Sequence, residues 1–211
     1  TDRPHVRSWA RGSSGTTVGG VWMRRCNGGE ASAARPLVTA SQPAVEDGPV
    51  LVTASTLAGH QRCTENYGED TVAWFPVDTR NTVRNFIATA RPRALVLFET
   101  ELWPNVIAEC QRASVPVLLA NGRLSDKHRH RYERYRWWFG PLIQGITHAC
   151  MQEPLYRDRL IELGVPADRV TVTGSIKFDA VQTAVSPRER QRVRATWGLK
   201  EGDALLLFAC T

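Results

Sequence analysis

The 211-residue sequence contains no apolar run near the ~20 residues that a membrane-spanning helix needs. It opens Thr1-Asp2-Arg3-Pro4-His5, with no apolar stretch that would make a signal peptide. An initiating Met is also missing, so the chain reads as a fragment at this end. Its five cysteines, Cys26, Cys63, Cys110, Cys150 and Cys210, are odd in number, and no two are spaced as CxxC. That spacing argues against a disulfide framework or a structural zinc site and for buried free thiols in a reducing compartment. There is no GxGxxG and no P-loop, so no glycine loop speaks for nucleotide binding, and no internal repeat is present.

What is present suits a folded core, since 42% of the residues are hydrophobic. The net charge of +6 favours anionic partners, although an ordinary basic surface would look the same by composition. Residues 1–20, rich in Gly, Ser, Thr and Arg, read as poorly ordered. From residue 21 short apolar runs alternate with amphipathic stretches. The expected strands are Val21–Met23, Val50–Thr53, Val72–Phe75, Ala94–Phe98, Pro116–Ala120, His148–Met151 and Val170–Thr173. The stretches between them read as helices. Trp103, Val106, Ile107 and Cys110, for example, follow the spacing of one buried helical face, with Pro104 in the first turn. Strands alternating with helices imply an α/β, Rossmann-like, doubly wound parallel sheet over residues 21–182. In such sheets the ligand site lies beyond the carboxyl ends of the strands. Ser186-Pro187 interrupts the pattern, and residues 183–211 read as a linker and the first strand (Ala204–Ala209) of a second domain that is cut short.

Four segments could carry chemistry. Glu99 and Glu101 flank Thr100 just past an expected strand end, where two carboxylates call for a nearby cation or for one of them to cap the next helix. Glu30 follows Asn27-Gly28-Gly29 after the first strand and sits either in a site or simply in the first turn of a helix. Lys177, in Gly174-Ser175-Ile176-Lys177-Phe178-Asp179, is either a cation facing the site or a solvated surface lysine. The run Arg123–Phe139 reads as one helix with Tyr132, Tyr135 and Phe139 in a stripe, flanked by Lys127, Arg129, Arg131, Arg134 and Arg136. Basic residues beside an aromatic stripe suit an anionic membrane surface or nucleic acid, and equally a core-facing stripe with a solvated flank. His128 and His130 face apart at i, i+2 and do not form a metal pair.

Together these segments resemble one family, the Kdo (3-deoxy-D-manno-octulosonic acid) transferases of lipopolysaccharide synthesis. Phe98–Ile107 (FETELWPNVI) resembles its central signature, and Asn121-Gly122-Arg123-Leu124-Ser125 its NARLS segment with Gly for Ala. Gly174–Asp179 resembles its GxxKFD segment, and Gly29-Glu30 with Ala33–Val38 its GE…AA.PLV segment. The family usually has a His-containing, SVGE-like run where this chain reads Arg24-Arg25-Cys26-Asn27-Gly28.

The resemblance implies the N-terminal, acceptor-binding half of a GT-B glycosyltransferase that moves Kdo from CMP-Kdo to a lipid A precursor (lipid IVA). The reaction would invert the anomeric centre without a metal ion or other cofactor. The donor would bind through the C-terminal domain, which is missing here, so the fragment alone is expected to be inactive. The resemblance makes Glu30 the general base, and Glu99 and Lys177 stabilisers of the transition state. Glu101, Trp103, Asn105, Asn121, Arg123 and Ser125 would shape the acceptor site. Arg129, Arg131, Arg134 and Arg136 would meet an anionic membrane surface at the cytoplasmic face of the bacterial inner membrane, with no nucleic acid involved. The competing readings are another GT-B sugar-nucleotide enzyme and a non-enzymatic basic module that binds anionic membrane or nucleic acid.

Overall fold

The computed structural model describes residues 20–25, 50–99, 102–176, 178, 186–200 and 203. Glu30, Glu101, Lys177, the side chain of Arg131 and the apolar run Ala204–Ala209 lie outside the described residues. The chain divides into two compact units, Thr1–Ala180 and Val181–Thr211.

Among the described residues the first unit holds seven strands: β1 (Val21–Arg25), β2 (Val50–Ala54), β3 (Val72–Trp74), β4 (Ala94–Phe98), β5 (Val117–Gly122), β6 (His148–Met151) and β7 (Val170–Val172). All neighbours pair in parallel, in the order β3-β2-β1-β4-β5-β6-β7. The helices are α1 (Leu57–Tyr67), α2 (Arg80–Ala90), α3 (Pro104–Arg112), α4 (Asp126–Arg134), α5 (Arg136–Gln144) and α6 (Pro154–Glu162).

The sheet grows outward from β1 in both directions, and parallel crossovers are right-handed. Helices therefore change face where the order turns from β3 back to β4. Alternation along the strands shows the same division. Trp22, Leu51, Leu95 and Leu97 point to one face, against Val83 and Ile87 of α2, Val106, Ile107 and Cys110 of α3, Ile143 of α5 and Leu160 of α6. Met23, Val50, Val52, Val96 and Phe98 point to the other, against Cys63 and Tyr67 of α1. β1 and β4 are neighbours whose chains leave in opposite directions across the sheet. Their carboxyl ends flank the switch point where ligands bind in this class of fold.

The run Arg123–Phe139 is not one helix. It breaks at Tyr135 (φ −111°, ψ 33°) into α4 and α5. Tyr132 is buried and meets Phe139 edge-on at 4.8 Å, while Tyr135 points to solvent. The expected stripe is thus split between core and surface.

The second unit contains α7 (Pro187–Thr196). Ser186 Oγ caps it by accepting from Glu189 N at 3.1 Å. Arg194 ties its end to the following turn by donating to Asp203 O at 3.0 Å.

Candidate active site at the carboxyl ends of β4 and β5

Glu99 is the first residue past β4. It is half-buried and has φ 55°, the left-handed region that a residue with a Cβ rarely adopts. Its N–H donates to Ala120 O of β5 at 3.0 Å. That bond to the neighbouring strand anchors the backbone at this position. Strain of this kind costs about 1–3 kcal/mol, and it gathers at sites where the surroundings over-determine the backbone.

The helix that follows is capped from a distance. Trp103 stands at the N-cap of α3 and makes no side-chain cap bond. Instead, Asp78 Oδ1 accepts from Val106 N at 3.0 Å, and Asn105 Nδ2 donates to Asp78 O at 2.8 Å. The cap that a Glu of the ETE run could have supplied therefore comes from Asp78, on the segment before α2. Asn105 serves to lock that segment in place. Trp103 packs on Phe75 with ring centres 5.4 Å apart. Arg24 of β1 is buried between them, its guanidinium 4.2 Å from the Phe75 ring and 4.6 Å from the Trp103 ring. Its Nη2 also donates to Ser55 Oγ at 3.4 Å. Arg24 thus sets a buried positive charge near the end of β1 and against Trp103, which precedes α3.

On the other side of Glu99, β5 carries a bulge. Leu119 pairs with Ala149, but the next partners are Gly122 and Met151, so β5 has one residue more than β6. That extra length puts Asn121 at φ 53°, buried at the strand end next to Glu99. Asn121 Oδ1 accepts from Ile176 N at 3.2 Å, and Asn121 O accepts from Gln152 Nε2 at 2.9 Å. The residue before Lys177 is therefore tied to the strand end beside Glu99. Met151 fills the space beside Gly122, where a Cβ would meet Met151 Sδ and Cε.

Arg123 is exposed, and Ser125 Oγ hydrogen-bonds His128 Nδ1 at 3.1 Å at the start of α4. Arg159, buried on α6, fixes this stretch by donating to Leu124 O at 2.7 Å and pairing with Asp126. Arg129 bonds Glu133 at 2.8 Å and approaches Glu162 at 3.6 Å, so its charge is answered within the protein. Arg134 lies 5.9 Å from the Tyr135 ring, and both Arg134 and Arg136 are exposed.

The end of β5 thus receives Glu99 at Ala120 and Ile176 at Asn121, while Arg24, Phe75 and Trp103 pack together past β1 and Asn105 fixes the start of α3. Arg24, Asp78 and Arg159 were not singled out in the sequence. An arginine closing the apolar run Val21–Met23 was the available signal for Arg24, whereas the other two act across sequence distances that local patterns do not reach. Among the described residues no group of three or more His, Cys, Asp or Glu could hold a metal ion. The arrangement offers a half-buried carboxylate residue on a left-handed turn at the carboxyl end of β4, with a buried arginine near the carboxyl end of the neighbouring strand β1.

A family model described as 3-deoxy-D-manno-octulosonic-acid transferase (kdotransferase) matches residues 4–180. The chain is 32% identical over 202 residues to the 3-deoxy-D-manno-octulosonic acid transferase of Bordetella pertussis, covering 90% of this chain and 44% of that one. To the Haemophilus influenzae enzyme of the same name it is 28% identical over 179 residues, covering 84% and 42%. The chain spans less than half the length of these relatives. Among solved structures, the UDP-GlcNAc 2-epimerase of Neisseria meningitidis superposes with a TM-score of 0.59 at 10% identity, over 87% of this chain and 55% of that one. The UDP-N-acetylglucosamine 2-epimerase of Rickettsia bellii gives 0.55 at 10%, over 87% and 52%. At such identity these likenesses speak for the fold alone, that of one Rossmann-like half of a GT-B arrangement.

Proposed function

The chain belongs to the 3-deoxy-D-manno-octulosonic-acid transferase family, and from that premise we propose that it is the acceptor-binding part of an enzyme transferring Kdo from CMP-Kdo to a lipid A precursor. Glu30 takes the proton of the acceptor hydroxyl. The oxygen then attacks the anomeric carbon of Kdo as the bond to CMP breaks and its electrons leave with the phosphate. A base is needed because a sugar hydroxyl is a poor nucleophile. Glu99 and Lys177 supply fixed charges that meet the charge developing in the transition state. The transfer inverts the anomeric centre and proceeds without a metal ion. Donor binding falls to the remainder of the longer protein. The work is done at an anionic membrane surface on the cytoplasmic side, to which the basic residues are drawn; among the described residues no helix is long and apolar enough to cross a membrane.

The observation that carries this reading is the left-handed turn at Glu99. It follows β4, whose neighbour β1 leads in sequence to Glu30, and it is bonded to β5, whose Asn121 holds the residue before Lys177. Two of the three segments follow the neighbouring strands β1 and β4, and the third, which follows β7, is tied to the end of β5 through Asn121. The test is Kdo transfer to a lipid A precursor by the full-length protein, with Glu30→Gln, Glu99→Gln and Lys177→Ala beside wild type. Glu30→Gln should slow transfer by about 100- to 10,000-fold, the usual contribution of a positioned base. Undiminished transfer in that variant removes Glu30 from the mechanism.

A further inference from the structure

Three arginines meet on one buried carboxylate. Glu109, on α3, is only 3% exposed. Arg80 and Arg84 of α2 donate their Nε groups to its two oxygens at 3.1 and 3.2 Å, and Arg112 of α3 donates from Nη1 at 2.5 Å. Burial by itself would raise the Glu109 pKa, but hydrogen bonds from Arg84 and Arg80 and the charges of Arg84 and Arg112 outweigh it and hold the carboxyl below its usual range. One carboxylate neutralises one guanidinium, so the cluster keeps two positive charges in excess. The arginines are about half exposed, at 58% for Arg80 and 51% for Arg112. Among the described residues no other hydrogen bond is donated by Arg80, whose side chain lines a cavity. Satisfying Glu109 does not call for three converging like charges. A bound anion would offset their mutual repulsion, and guanidiniums already fixed by Glu109 give up little freedom on binding one.

Arg80 and Arg112 line one cavity of about 370 Å3 between α3 and α5, together with Asn105, Trp138, Pro141 and Leu142. This volume is within the range of small-molecule sites. Its far wall is apolar, and Trp138 is 48% exposed there. Trp137 is 79% exposed, one turn of α5 from Pro141 on the same helical face, and extends that wall.

We infer that the groove between α3 and α5 binds a phosphate ester carried on an apolar body, with Arg80 and Arg112 on the phosphate and Trp138, Pro141 and Leu142 on the hydrocarbon. This inference is independent of the transfer chemistry, because the groove would bind whether or not Glu30 acts as a base. A phosphate group can arrive on an amphiphile or as the free ion, and three probes separate the two sources. The full chain is titrated calorimetrically with decyl phosphate below its micelle concentration, with inorganic phosphate and with decanol.

Decyl phosphate should bind saturably, inorganic phosphate should compete more weakly, and decanol should not bind. Arg80→Gln leaves Glu109 its bonds to Arg84 and Arg112, and should weaken decyl phosphate about tenfold or more, the worth of a charge-assisted hydrogen bond. Trp138→Ala, at an exposed position, should weaken decyl phosphate while leaving inorganic phosphate unchanged. The inference is overturned by absent saturation with decyl phosphate, by equal binding of decanol, or by affinity that neither variant changes. Equal affinity for inorganic and decyl phosphate overturns the role given to the apolar wall.

Discussion

Asn121 is the residue whose replacement separates backbone strain from hydrogen bonding at the site. It does two things at once: it occupies φ 53° and its Oδ1 accepts the Ile176 N–H at 3.2 Å. Asn121→Ala removes the acceptor and leaves a partly buried N–H unpaired, at a cost of about 1–3 kcal/mol. It also places a residue without a local polar partner in the left-handed region, at about 1–2 kcal/mol. Asn121→Gly removes the acceptor but adopts that φ freely, losing only about 0.5–1 kcal/mol more through the entropy of the unfolded chain. Asn121→Asp keeps an oxygen in place. The expected order of stability is wild type, then Asp, then Gly, then Ala, with Ala about 1 kcal/mol below Gly.

Urea unfolding of the chain measures this order, and amide exchange at Ile176 reports the bond directly. Protection there should fall in both Ala and Gly and persist in Asp. An Ala variant as stable as Gly would refute the claim that the bulge holds Asn121 in a strained conformation. Unchanged exchange at Ile176 in Ala would refute the bond. In the full-length protein, losing this tether should lower kcat more than it raises KM, because small misplacements near a reacting centre can cost about 100-fold. Transfer should return toward the wild-type rate with Asp, which a purely structural role in the core would not give.

Gly122→Ala should cost about 1–3 kcal/mol by overpacking against Met151 Sδ, and Met151→Val in the same chain should recover much of it in thermal melts. Glu109→Gln should remove part of the acid sensitivity. Its pKa is depressed in the folded state, so the stability it adds is present above its unfolded value of 4.5 and is lost as pH falls through the lower folded value. Wild type minus Glu109→Gln stability, from urea curves at pH 7 and pH 3, should therefore shrink toward zero at the lower pH; a difference that does not change between the two would refute the ion cluster. The Cys110 thiol, pushed up to about 12 by burial and then by the Glu109 charge, should resist thiol reagents at pH 9 in the folded chain and react once urea unfolds it.

The strands were legible because a parallel sheet covered on both faces needs apolar runs, and such runs stand out wherever polar helices intervene. The run Ala94–Phe98 is the plainest case, and its strand has those bounds. What escaped lies in long-range partners and in φ. The break at Tyr135 carries no Gly or Pro, so a helical wheel runs through it; it arises because Tyr132 and Phe139 pack together while Trp137 and Trp138 turn outward. Asp78 caps α3 across a separation of 28 residues, beyond any local pattern. Glu99 and Asn121 are the deeper case. Both were picked out as members of motifs; Asn tolerates a left-handed backbone, but nothing in the identity of Glu99 announces one. Each takes that conformation because neighbouring strands bind it there: Ala120 O holds Glu99, and the extra residue in β5 displaces Asn121. Side-chain type at the end of a strand names a candidate, but only the pairing of that strand with its neighbour decides where the candidate points.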